Sequence, residues 1–263
     1  MRYMGININR GIIILIILTV FATIAPLFSP YDPFQSVDTP YQGISLKHLL
    51  GTDALGRDIF SQLLVGSRTT LFVSLTAAVI SLLISLFLGL ASSLKSIYSQ
   101  IISSIIDSFI VVPPLMIMIF IASIFGSSLY SEILAISLAY WPQIAKIFRA
   151  EIISILERAY VEASHALGGR MLWIIRKHVL RNIRHVILSN FIYLVGVSIV
   201  SEAVISFLGL SDQRLFSWGM IFYYAFIQGA VYYGLWQWIL APAFLITIIV
   251  YMLFESSKDI LTK

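Results

Sequence analysis

The stretch TTLFVSLTAAVISLLISLFLGLASSL, residues 69–94, contains no Asp, Glu, Lys or Arg. A helix crosses a bilayer core with about 20 apolar residues, so this run is long enough to span. Five more apolar runs follow the same pattern: Gly11–Phe28, Ile101–Phe125, Glu132–Phe148, His185–Leu210 and Leu235–Phe254. Pro26 and Pro30 close the first, Pro113-Pro114 interrupts the third, and Pro142 breaks the short fourth. Composition agrees. The 263 residues are 59% hydrophobic and 11% charged, with mean hydropathy +0.93, whereas soluble domains carry about 25% charge. One soluble core cannot hide that much apolar side chain, so lipid is the solvent for much of the chain. The expected fold is an all-α membrane protein of about six transmembrane helices. A net charge of +4 is too small to argue for nucleic acid, and the lack of Cys excludes disulfides, thiolate sites and Fe–S clusters.

Arg2 and Arg10 before the first run, with Ala22 and Ala25 in it, also fit a secretory signal. The apolar part of a signal is about 7–15 residues, and this run is longer, so a retained helix is expected. The basic residues then orient the spans. With the N-terminus inside, the inner segments hold Arg2, Arg10, Lys95, Lys146, Arg149, Arg158, Arg170, Arg176, Lys177, Arg181, Arg184, Lys258 and Lys263. The outer segments hold Lys47, Arg57, Arg68 and Arg214. The bias places both termini and the loop at 149–184 in the cytoplasm. Residues 1–68 form the first helix and an outer amphipathic approach, and residues 69–263 form a five-helix core. No internal repeat is visible.

Within the inner loop, Ile155–Leu167 reads as one helix with Leu156, Tyr160, Ala163 and Leu167 in an apolar stripe. Gly168-Gly169 then stops it, since Gly accepts the left-handed cap conformation. A basic amphipathic piece follows. These residues alone leave an anionic lipid surface and a protein partner equally open. On the outer side, Gly51-Thr52-Asp53-Ala54-Leu55-Gly56-Arg57-Asp58 has the frame of a phosphate loop but continues Arg-Asp instead of Lys-Ser/Thr. A carboxylate at the magnesium-ligating position repels phosphate, so nucleotide binding is rejected here. A turn is expected instead, capped by Thr52 or Asp53, followed by an interfacial helix bearing Ile59, Phe60, Leu63 and Leu64. Arg57 and Asp58 are free to pair with a second membrane subunit.

Asp107 and Glu202 are carboxylates inside apolar runs, and such groups face protein or water. A structural hydrogen bond is expected for Asp107, near the interface. For Glu202 a pathway role and a structural bond stay open. Ser198, Ser201, Glu202 and Ser206 give the fifth run a polar side, so it is a candidate wall of a pathway. The four His residues do not converge in sequence, and no H-E-x-x-H or paired-carboxylate motif appears, which argues against a membrane protease. Tyr223, Tyr224, Tyr232, Tyr233, Trp218, Trp236 and Trp238 fit an outer aromatic belt.

Three blocks carry a resemblance. Tyr160-Val161-Glu162-Ala163-Ser164-His165-Ala166-Leu167-Gly168 resembles the E-A-A-x-x-x-G loop of ABC importer permeases, with Ser164 for the second Ala. It runs on to His178-Val179-Leu180-Arg181-Asn182, where the pattern has H-V-L-P-N, so Arg181 replaces a Pro. The outer string from Leu50 to Arg68 is similar to the L-G-T-D-x-L-G-R-D block of the dipeptide/oligopeptide/nickel permease group, with Gln62 for Arg and Ser67 for Ala. Ser201 to Leu210 and Ser217-Trp218-Gly219 look like that group's E-A-x-L-S-F-L-G-L and W-G. The resemblance implies a type I ABC importer permease of the second, shorter kind, in the inner membrane of a prokaryote. It implies a second homologous permease subunit, two ATPase subunits and an extracytoplasmic substrate-binding protein as partners besides membrane lipid, with ATP and Mg bound by the ATPases and no cofactor in this chain. Tyr160, Glu162, Ala163, Ser164, Leu167 and Gly168 would form the ATPase-coupling helix. Gly51, Thr52, Asp53, Gly56, Arg57 and Asp58 would form the outer motif, and Glu202 and Ser206 are candidate pathway residues. The implied substrate is a di- or oligopeptide, with nickel and oligosaccharide as alternatives. A secondary transporter driven by ions or protons is the rival reading, and Asp107 and Glu202 are the groups it would use.

Overall fold

The computed structural model describes residues 10–94 and 96–261. Arg2, Lys95 and Lys263 of the charge argument lie outside the described residues, as does the side chain of His165. Helix α1 (Arg10–Ile24) ends in a 3-10 turn, Ala25–Phe28. An irregular cap, 29–58, leads into α2 (Ile59–Ser93). Then come α3 (Ile97–Ile110), α4 (Pro114–Phe125), α5 (Leu129–Leu156), α6 (Ala159–Ala166) and α7 (Met171–Ile174). A π-turn, Ile175–Val179, joins α7 to α8 (Leu180–Asn182), followed by α9 (Arg184–Phe207), α10 (Trp218–Ile227) and α11 (Trp236–Leu261).

Short polar side chains start these helices by taking up backbone N–H groups that have no intrahelical partner. Asp58 caps α2 through Ser61 N, and Ser217 caps α10 through Met220 N. Ser96 and Ser128 each form a reciprocal capping box, with Ser99 on α3 and Ser131 on α5.

Among the described residues, four helical segments are long and apolar enough to cross a membrane: Arg10–Phe28, Ile59–Ser93, Arg184–Phe207 and Trp236–Ile260. The third expected span is two helices, α3 and α4, bent by 91° at the Pro113-Pro114 break. Pro lacks an N–H and forces the preceding residue out of the helical region, so the chain turns there. The fourth expected span is α5, 28 residues long and unbroken at Pro142. Glu132, Lys146, Arg149 and Glu151 make it less apolar than the others. Packing against α2, α4 and α9 shelters much of it from lipid.

Helix α2 is the spine. It lies along α5 and α9, while α9 in turn packs on α11 and α10. It begins at Ile59 and not at Thr69, because Asp58 caps it early. Ile59 and Leu63 are therefore buried and not interfacial. The main core joins α1, α2, α5, α9, α10 and α11 around Phe148, Ile192, Leu194 and Trp238. A second cluster fills the space between α2, α4, α5 and α9 around Val73, Met118, Ile136 and Ile205. Trp218 and Trp238 are completely buried, so they belong to the core and not to the aromatic belt; Trp236, Tyr232 and Tyr233 are exposed.

The ends of the bundle differ. The cap 29–58 precedes the start of α2, whereas α6 and α7 meet Ser93 and Leu94 at its far end. A 35-residue helix separates these ends by about 50 Å. Arg10 and Asp259 form an ion pair of 3.7 Å, so the start of α1 and the end of α11 share one end of the bundle.

Candidate functional site

The six outer-motif residues converge in one knot at the start of α2. Gly51 and Gly56 take left-handed conformations (φ 81° and 72°). A Cβ on Gly56 would lie 2.0 Å from the Asp38 carbonyl oxygen, and one on Gly51 2.2 Å from that of Gln42. Asp53 Oδ1 accepts from the backbone N–H groups of Leu55 and Arg57, at 2.8 and 2.9 Å. Its Oδ2 accepts from Arg57 Nε at 2.8 Å and Gln62 Nε2 at 2.9 Å. Thr52 Oγ1 accepts from Gln42 N and donates to the Thr39 carbonyl. Asp58, 1% exposed, accepts from Ser61 N and Ser61 Oγ, both at 2.7 Å, and from His48 Nδ1 at 2.8 Å. Since a carboxylate only accepts, Nδ1 carries the His48 proton. His48 Nε2 is buried without a hydrogen-bond partner, 3.5 Å from Asp38 Oδ2.

This geometry corrects one expectation. Arg57 and Asp58 do not wait for a second subunit. Arg57 pairs with Asp53 and lies over the rings of Phe216 and Tyr224, at 5.4 and 5.9 Å, and Asp58 is spent on the cap of α2. It also gives a structural reason against phosphate binding. The N–H groups of Ala54, Leu55, Gly56 and Arg57 all bond within the protein, to Gln228 or Asp53. None points outward to cradle an anion. Lys47 holds the Asp38 carboxyl far below the usual carboxylate range, helped by the Thr39 N–H.

The third block lies beneath this cap. Glu202 is fully buried, its Oε2 accepting from Thr70 Oγ1 at 3.1 Å and its Oε1 from Ser206 Oγ at 2.8 Å. Ser206 Oγ sits 2.6 Å from Ser211 Oγ, and Ser211 donates to Glu132 Oε1 at 3.0 Å. The chain of hydroxyls thus ties α2, α5 and α9 together around two buried carboxyls. Glu202 and Ser206 are both buried within this network. Ser201 likewise turns to Tyr140, at 2.8 Å. Glu132 and Ser211 were not singled out in the sequence. An acid within the first turn of an apolar run was the available signal. Asp107 is apart from this network and pairs with Lys146 at 2.7 Å, the structural bond expected of it. Among the described residues no group of three His, Asp or Glu side chains could hold a metal.

At the opposite end, the expected helix Ile155–Leu167 is broken. α5 ends at Leu156, the backbone turns at Glu157-Arg158, and α6 restarts at Ala159. Val161 is its buried anchor, 3% exposed and packed in the main core. The anticipated stripe of Tyr160, Ala163 and Leu167 points outward, with Leu167 91% exposed. Glu162 is exposed and Ser164 half-buried. Gly168, at φ 87°, ends the helix as the Gly stop requires. Behind α6 lies a cavity of about 540 Å³ with Ile174, Leu156 and Ile153 in its wall. Among the described side chains of this eight-residue helix Val161 alone is buried, and Tyr160 and Ala163 are exposed.

Residues 81–263 match a family profile described as the binding-protein-dependent transport system inner membrane component. The oligopeptide transport system permease protein OppC of Bacillus subtilis is 34% identical over 215 residues, covering 80% of this chain and 70% of that protein. The dipeptide transport system permease protein DppC of the same organism is 33% identical over 244 residues, covering 92% and 76%. Among solved structures, a chain of the MetNI methionine ABC transporter in inward-facing conformations superposes with a TM-score of 0.55. That match covers 74% of this chain and 94% of that one at 17% identity, a likeness of fold.

Proposed function

This chain belongs to the family of binding-protein-dependent transport system inner membrane components, and from that premise we propose that it forms half of the translocation pathway of an ATP-driven peptide importer. It is a membrane-embedded permease subunit of the ABC transporter class. The other half of the pathway is a second, homologous permease. Two ATPase subunits bind ATP and Mg on the cytoplasmic side, and an extracytoplasmic protein delivers the substrate. Both termini and α6 face the cytoplasm, and the cap 29–58 faces out. Di- or oligopeptides are the proposed cargo, since the relatives OppC and DppC are named for them.

The observation that carries this reading is the pairing of a self-satisfied outer cap with an outward-facing short helix at the far end of α2. The cap offers no site for fuel, and α6 buries only enough of itself to stay attached. Closure of the ATPase dimer would carry α6 with it, and α5 and α9 would transmit that displacement to the bundle. The chain has no Cys, so a Cys introduced at Leu167 is unique. In the assembled transporter, Leu167→Cys should crosslink to an ATPase subunit, and uptake into proteoliposomes should require ATP. Robust uptake by this chain without an ATPase would refute the reading.

The buried Glu132–Ser211–Ser206–Glu202 chain is the one feature that favours a proton-coupled carrier. In that reading Glu202→Gln abolishes uptake driven by a pH gradient; in the ATP-driven reading no such uptake exists.

A further inference from the structure

Helix α6 has eight residues, too few to persist alone in water. What holds it therefore sets its pose. Val161 fixes its position on the bundle, but a single apolar anchor leaves its rotation undetermined. A second hold comes from the segment that follows. Asn182 Nδ2 donates to the Tyr160 hydroxyl at 3.2 Å and to the His178 carbonyl at 2.7 Å. The Tyr160 and His178 rings lie 5.5 Å apart, with Trp173 edge-on to His178 at 5.4 Å. Ser164 Oγ sits 3.5 Å from His178 Nε2.

The π-turn Ile175–Val179 makes this possible. The Leu180 N–H reaches back five residues to the Ile175 carbonyl, one further than in an α-helix. One extra residue rotates everything beyond it by about 100° relative to an unbroken helix. His178 within the turn and Asn182 just beyond it, four residues apart, both meet Tyr160 of α6.

We propose that His178 and Asn182 are positioning residues that act through Tyr160, fixing the angle at which the exposed face of α6 meets its partner. This rests on the reading of α6 as the ATPase-docking helix. A lever that turns freely on its attachment loses part of the stroke, so releasing this clamp should uncouple the transporter without dismantling it.

The test uses the full complex in proteoliposomes and measures ATP hydrolysis with and without the binding protein, added with its ligand as purified. Asn182→Ala and His178→Ala should each keep basal hydrolysis and lose about two- to tenfold of the stimulated excess, the range that one exposed hydrogen bond gives. Asn182→Ala with Tyr160→Phe should do no more than the worse single change, because both remove the same bond. His178→Phe keeps the ring contact and should restore most of the stimulation lost in His178→Ala. A variant that only misfolds lowers assembly and basal hydrolysis together and leaves their ratio unmoved. Unchanged stimulation in Asn182→Ala and His178→Ala, with the Leu167→Cys crosslink intact, overturns this inference alone. Absence of that crosslink in the otherwise native chain overturns the docking reading and this inference with it.

Discussion

Replacing Asp58 by Ala should open the outer cap and fray the first turns of the α2 spine. The carboxylate is 1% exposed and serves two elements at once. It caps α2 through Ser61 N at 2.7 Å, and loss of an N-cap costs about 1 kcal/mol. It also accepts from His48 Nδ1 at 2.8 Å. His48 is fully buried, and leaving its N–H without an acceptor costs a further 1–3 kcal/mol, roughly. The Ser61 hydroxyl can turn to another acceptor and adds little. The total is about 2–4 kcal/mol, which makes local opening about 30- to 1000-fold more frequent. Amide hydrogen exchange of residues 48–62, measured in detergent or nanodiscs, reads this directly. Asp58→Asn keeps one acceptor oxygen for the cap and should lose less protection. If Asp58→Ala changes protection in this segment by less than about fivefold, under 1 kcal/mol, the cap is not held by these bonds and the reasoning fails.

Other perturbations separate the remaining interactions. Trp218 Nε1 donates to the Leu63 carbonyl at 3.1 Å, whereas the equally buried Trp238 Nε1 has no hydrogen-bond partner. Trp218→Phe should therefore lower thermal stability by about 1 kcal/mol more than Trp238→Phe; equal losses would contradict the assignment. Gly56→Ala meets both a left-handed backbone and the Asp38 carbonyl, and should cost about 1–3 kcal/mol, read as increased protease sensitivity of the cap. Lys47, the largest influence on Asp38, holds its carboxyl ionised far into acid. A carboxyl whose folded value is lowered stabilises at neutral pH and loses that contribution as the pH falls through the folded value. Lys47→Met should thus move acid loosening of residues 38–58 to higher pH. An identical exchange profile across the acid range would show that this pair does not hold the cap.

The membrane class was legible because periodicity and composition are properties of the chain itself. An uncharged run of this length has no alternative to lipid or a core, whatever surrounds it. Helix starts were also readable in principle, since a cap is a local contact, and Asp58 illustrates the point. In the sequence it is free to pair with a partner, because a charge before an apolar run looks available until its neighbours are known. Residues from position 48 to 61 had to fold back before the Asp58 carboxylate was seen to be occupied. The aromatic belt failed similarly for Trp218 and Trp238. Nothing local distinguishes a Trp at an interface from one whose indole has found a place between helices.

The apolar runs, the direction of the basic bias and the outer and inner motifs were legible in the sequence alone, because each depends on residues close together in the chain. Tertiary structure alone decided that Glu132 meets Glu202 through two serines, that Pro113-Pro114 becomes a 91° turn, and that Val161 is buried while Leu167 is exposed. These are properties of helices meeting across long sequence separations. A side chain's burial depends on which neighbour fills the space opposite it, and that neighbour is chosen only when the whole bundle packs.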